Sequence, residues 1–85
     1  MKPYYELFAD RILYFCNKRG ITPNHLASIS GVPQSTINNI LCGISKNPRM
    51  QTLHKIALAF SMTPSEFLDF EELNNHSFEE DETDE

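Results

Sequence analysis

Glycine and proline stand almost only where short amphipathic segments begin or end, and this punctuation restricts the chain to a series of brief helices. Gly20, Gly31 and Gly43 each follow a stretch with apolar residues at helical spacing, while Pro3, Pro23 and Pro64 fit first turns. No run alternates apolar and polar residues as a half-buried strand requires. An all-α fold of five helices follows. The first is expected from Tyr4 or Tyr5 to Lys18 or Arg19, with Phe8, Ile12, Phe15 and Cys16 inward. The second starts at Thr22, whose hydroxyl can accept from a free backbone N–H, and turns Leu26 and Ala27 inward before Gly31.

The third helix is expected from Gln34 to Leu41 or Cys42, with Val32, Ile37 and Ile40 facing the core. Residues 44–51 read as a loop, because Pro48 biases Asn47 away from helical geometry. Thr52 is then the expected cap of helix four, which carries Leu53, Ile56, Ala57 and Phe60 on one face. Thr63, Pro64, Ser65 and Glu66 spell a capping box that opens a fifth helix, with Phe67 and Leu68 inward. The expected organisation is one domain over residues 1–73 and an acidic tail over 74–85. The tail holds one aromatic residue, Phe78, and too little apolar surface to offset chain entropy, so disorder is expected.

The net charge of −5 averages two unlike regions. Residues 1–65 hold all 7 Lys and Arg, with Glu6 and Asp10 as their only acids, whereas residues 66–85 hold the other acids and no Lys or Arg. A basic body suits phosphate binding, since each cation that neutralises a phosphate releases counterions. No apolar run is long enough to span a membrane, and the N-terminus lacks a signal-like pattern, so a cytoplasmic location is expected. Cys16 and Cys42 form no CxxC pair and are expected as buried or half-buried free thiols; no metal and no cofactor are expected. His25, His54 and His76 are scattered, the acids and nucleophiles form no catalytic constellation, and no enzymatic activity is expected.

Two short helices joined across Ser30, Gly31, Val32 and Pro33 make a helix-turn-helix, with Val32 as the plug between them and Ala27 small enough for close approach. The chain here resembles the Cro and lambda-type repressor family over about residues 7–70. The resemblance is carried by Gly20-Ile21-Thr22, Leu26-Ala27, Gly31-Val32, Gln34-Ser35-Thr36-Ile37, Gly43, Pro48, Thr52-Leu53-His54-Lys55-Ile56-Ala57 and Phe67-Leu68. It implies a compact five-helix lambda-repressor-like domain whose third helix lies in the major groove of double-stranded DNA, and a role as a transcriptional regulator, expected to be a repressor. Gln34, Ser35, Asn38 and Asn39 would then reach base edges. Their chemistry agrees, because Gln and Asn bond bidentately to adenine and Ser serves as donor or acceptor.

Phosphate contacts should flank that helix. Thr22 and Asn24 mark the N-terminus of helix two, a favourable dipole end, and Lys46, Asn47 and Arg49 follow helix three, with Thr36 a further candidate. The chain departs from the family pattern at three places. Pro33 replaces the usual polar cap of helix three, Pro23 replaces a polar contact residue, and Leu41 replaces a glutamate that often pairs with the helix-one arginine, so that Arg11 lacks its usual partner and could instead meet a phosphate. The competing reading is an antitoxin-like interaction module with a protein partner and autoregulatory DNA binding. A homodimer is a further candidate assembly, with Tyr4, Leu7, Tyr14, Phe70 and Leu73 as apolar contacts. The acidic tail could also lie over the basic face and compete with DNA.

Overall fold

The computed structural model describes residues 2–78. Six helices follow in order: α1 (Tyr4–Arg19), α2 (Pro23–Ser30), α3 (Gln34–Leu41), α4 (Met50–Ala59), α5 (Pro64–Leu68) and α6 (Glu71–Asn74). There is no strand among the described residues. The first five are the expected helices, and α6 is a single additional turn packed on α1. Residues 79–85 of the expected tail lie outside the described residues.

Three helices end in the same way. After α3, the Gly43 N–H donates to the Ile40 carbonyl at 3.2 Å and the Ile44 N–H to Asn39 O at 2.9 Å, which is a Schellman closure with Gly43 at φ +80°. The same pair of bonds closes α1 at Gly20 and Ile21, and α4 at Ser61 and Met62. Ser61 therefore takes φ +61° without being glycine. At the start of α5 the capping box is complete: Glu66 N–H donates to Thr63 Oγ1 at 3.1 Å and Thr63 N–H to Glu66 Oε1 at 2.9 Å.

Helix α4 begins two residues before the expected cap. Arg49 is extended, with φ −68° and ψ 145°, and its carbonyl accepts from the Leu53 N–H at 3.1 Å. Thr52 is thereby inside the first turn, and no side chain caps this helix. Cys16 is buried as expected, whereas Cys42 is exposed because it sits at the end of α3 on the side away from Ile37 and Ile40.

The core forms where α1 meets the other helices. Ile12, Leu26, Ile37, Ile56, Phe60 and Phe67 are wholly buried, one or two from each of the first five helices and their caps. Burying each such side chain contributes roughly 1.5–3 kcal/mol. Phe15, Phe60 and Phe67 pack together with ring centroids 5.4 to 6.4 Å apart. Of the residues set aside for a dimer, Leu7 is instead buried in the chain itself at 3% exposure, and Tyr4 is in ring contact with Phe8, His76 and Phe78.

Candidate nucleic-acid interface

Helices α2 and α3 are joined by a tight turn whose geometry follows from three residues. Gly31 adopts φ +75° and donates its N–H to the Ala27 carbonyl at 3.1 Å, ending α2. The Ser30 hydroxyl then accepts from the Val32 N–H at 3.2 Å, and Val32 turns inward to 4% exposure. Pro33 lacks a side-chain cap, but its carbonyl accepts from the Thr36 and Ile37 N–H groups at 3.0 and 3.1 Å and so opens α3.

The phase of α3 is set by Ile37 and Ile40, both buried. Side chains three and four apart share a helix face, so the opposite face carries Gln34, Ser35, Asn38 and Asn39, all exposed. This face holds three carboxamides and a hydroxyl and no charge. Gln34 Nε2 donates to Asn24 Oδ1 at 2.6 Å, linking the two helices. That bond uses one of two Gln34 amide hydrogens and leaves its carbonyl, its second N–H and the Asn24 NH2 group available to a ligand.

The residues expected to flank this face divide into three groups. Thr36, Asn47 and Arg49 line one shallow, open groove together with Asn39, Ser45 and Thr52. Thr22 and Asn24 stand at the start of α2, where the Thr22 hydroxyl accepts from the His25 N–H at 3.1 Å. Lys46 does not line the groove; its ammonium sits 4.6 Å from the centroid of the Tyr5 ring on α1. Ser45 and Thr52 were not anticipated from sequence. Ser45 is brought in by the Schellman closure, its N–H donating to the Asn39 carbonyl at 2.9 Å, and Thr52 by the early start of α4. With no side-chain cap, the first N–H groups of α4 are free to meet an anionic oxygen beside Asn47 and Arg49.

Residues 11–72 match the family model for the Cro/C1-type HTH DNA-binding domain. The chain belongs to this family. No curated protein and no solved structure matches it. A Cro/C1-type domain is a DNA-binding regulatory domain, so the polar face of α3 and the groove beside it belong to a DNA-binding regulator. No helix among the described residues is long and apolar enough to cross a membrane.

The cations of this Cro/C1-type domain are not all presented to a ligand. Arg11 donates from Nε to the Phe67 carbonyl at 2.7 Å and from Nη2 to Glu66 O and Asp69 O at 3.1 and 3.4 Å. Rather than standing free for a phosphate, Arg11 closes the C-terminus of α5, between the Phe15 and Phe70 rings at 4.6 Å each. Arg19 donates to the Phe60 carbonyl at the end of α4. Lys2 pairs with Asp10, which raises the Lys2 pKa first through the hydrogen bond and then through the opposite charge. Among the described residues, Arg49 and Lys55 have no ion pair.

Proposed function

We propose that the chain is a sequence-specific transcriptional repressor that inserts α3 into the major groove of double-stranded DNA. The observation that carries this reading is the exposed, uncharged carboxamide face of Gln34, Asn38 and Asn39, held outward by the buried Ile37 and Ile40. Such a face can match donor and acceptor patterns on base edges but is not designed for phosphate charge. Ser35 adds a hydroxyl to the base contacts. Thr36, Asn47 and Arg49, with the free N–H groups of α4, grip one phosphate run. Thr22 and Asn24 meet the backbone at the start of α2, and Lys46 meets it from the Tyr5 ring.

Two copies read two half-sites about one helical turn apart. The exposed Leu13 and Tyr14, which line a groove with Phe70 away from α3, supply apolar surface for that pairing. The cell compartment is the cytoplasm, where the DNA target lies.

The test is selection from random duplexes followed by sequencing of bound DNA. Paired half-sites rich in A·T are expected, because no Arg is present on α3 to read guanine. Asn38→Ala or Asn39→Ala should then lower affinity for the selected site by about 5- to 150-fold, the equivalent of about 1–3 kcal/mol per bidentate contact. Binding to unrelated duplexes should change little. Selection of G-rich sites, or equal loss on every duplex, overturns the assignment of α3 as the reading element.

A further inference from the structure

Tyr5, in the first turn of α1, meets the segment after α3 twice. Its Cε1 atom stands 3.0 Å, and its Cδ1 atom 3.5 Å, from the position a Cβ at Gly43 would take, so one edge of the ring lies against the Gly43 backbone. Further along the loop, the Lys46 ammonium sits 4.6 Å from the centroid of the same ring. Gly43 therefore serves two ends: it closes α3 with φ +80°, and it leaves the space through which the ring reaches the loop.

Lys46 is exposed and has no ion pair among the described residues. A lysine on a loop turns freely about a four-carbon stem, and fixing it on a phosphate costs side-chain entropy. The negative face of an aromatic ring attracts an ammonium and so limits that freedom beforehand. The ammonium has three N–H donors, and a ring on one side leaves donors on the other for a phosphate oxygen.

We propose that Tyr5 is a positioning residue for DNA binding: its ring holds Lys46 in place ahead of contact, so that the ammonium meets a phosphate with part of its ordering already done. The proposal rests on the reading of Lys46 as a phosphate contact. Ordering one long side chain is equivalent to about 2- to 12-fold in affinity, and the ring relieves part of this, so its loss should weaken binding about 2- to 5-fold. A phosphate is the same in every sequence, so the effect falls equally on selected and unrelated duplexes.

The test follows binding of a labelled selected duplex and an unrelated one by anisotropy. It compares the full chain with Tyr5→Leu, Tyr5→Phe, Lys46→Met and the double variant Tyr5→Leu with Lys46→Met. A further chain carries pentafluorophenylalanine at position 5, which keeps the shape of the ring and reverses its quadrupole. The Lys46 Hε resonances, recorded without DNA, report the ring contact by their upfield shift. Tyr5→Leu and the fluorinated ring should each remove that shift and weaken both duplexes about 2- to 5-fold, and Tyr5→Phe should restore both. Lys46→Met should make the slope of log K against log salt shallower by about 0.9, and Tyr5→Leu should cost nothing more in that background. The fluorinated ring decides the matter if Tyr5→Leu does not fold. An equal loss from Tyr5→Leu with and without Lys46 overturns the proposal, because Tyr5 would then act on the fold alone. Tighter binding by the fluorinated chain also overturns it, since the ring would be withholding Lys46. If Lys46→Met leaves affinity and slope unchanged, the reading of Lys46 fails and the proposal with it, while the assignment of α3 stands. If no chain binds any duplex, the functional reading itself fails.

Discussion

Replacing Arg11 with methionine separates a structural role from a DNA-contacting one. The Nε bond to Phe67 O is part-buried and short, and a hydrogen bond from a charged donor contributes about 1.5–3 kcal/mol. The two Nη2 bonds are exposed and longer, so water replaces them at a cost of only a few tenths of a kcal/mol each. Stacking between Phe15 and Phe70 adds about 0.5–1 kcal/mol per ring, part of which a methionine side chain retains. The expected loss is about 2–3 kcal/mol, a large share of the stability of a small domain. At about 4–8 °C per kcal/mol, Tm should fall by roughly 10–20 °C. Urea titration gives the free energy, and the slope of log K against log salt on a duplex gives the number of phosphates met. The slope should not change below the melting range. A loss under about 0.5 kcal/mol, or a slope shallower by about 0.9, would refute the reasoning, the second by showing that Arg11 neutralises a phosphate.

Two further outcomes follow from local geometry. Ser61→Gly should stabilise the chain by about 0.5–1 kcal/mol in urea titration, because the left-handed conformation costs a serine about 1–2 kcal/mol and glycine's greater chain entropy offsets only part of that gain. A neutral or destabilising result would mean that the Ser61 hydroxyl contributes more than its backbone costs. Burial raises the Cys16 pKa, so the folded state holds this proton to higher pH than the unfolded state. Stability should be unaffected below the ordinary thiol range and decline as pH rises through and above it, and a chromogenic disulfide reagent should titrate Cys42 at once and Cys16 only on unfolding.

Helix ends were legible in the sequence wherever the chemistry of the end is local. Gly31 and Gly43 supply a backbone conformation that few other residues adopt, and Thr63 with Glu66 carries both halves of a reciprocal cap. The start of α4 was not legible for the same reason in reverse: Arg49 does its work through a carbonyl, which has no side-chain signature, and Thr52 imitates a cap without being one. The carboxamide face of α3 could be read because two buried isoleucines fix its rotation. The destination of the cations could not, since Arg11 and Arg19 bond backbone carbonyls and Lys46 rests on a tyrosine 41 positions earlier in the chain.

That destination bears on how such a domain discriminates. Lys2 is paired with Asp10 at the surface and Arg11 and Arg19 bond backbone carbonyls, leaving Lys18, Lys46, Arg49 and Lys55 as the cations most available to meet phosphates. Even if all four did so, counterion release would give a salt slope no steeper than about −3.6 per chain. The net charge of −5 works against approach to DNA at long range. On the reading proposed above, sequence-independent affinity is therefore small, and occupancy depends on what base edges return to the amides of α3. Because a wrong base leaves a desolvated carboxamide without a partner, weak phosphate attraction sharpens the contrast between correct and incorrect sites.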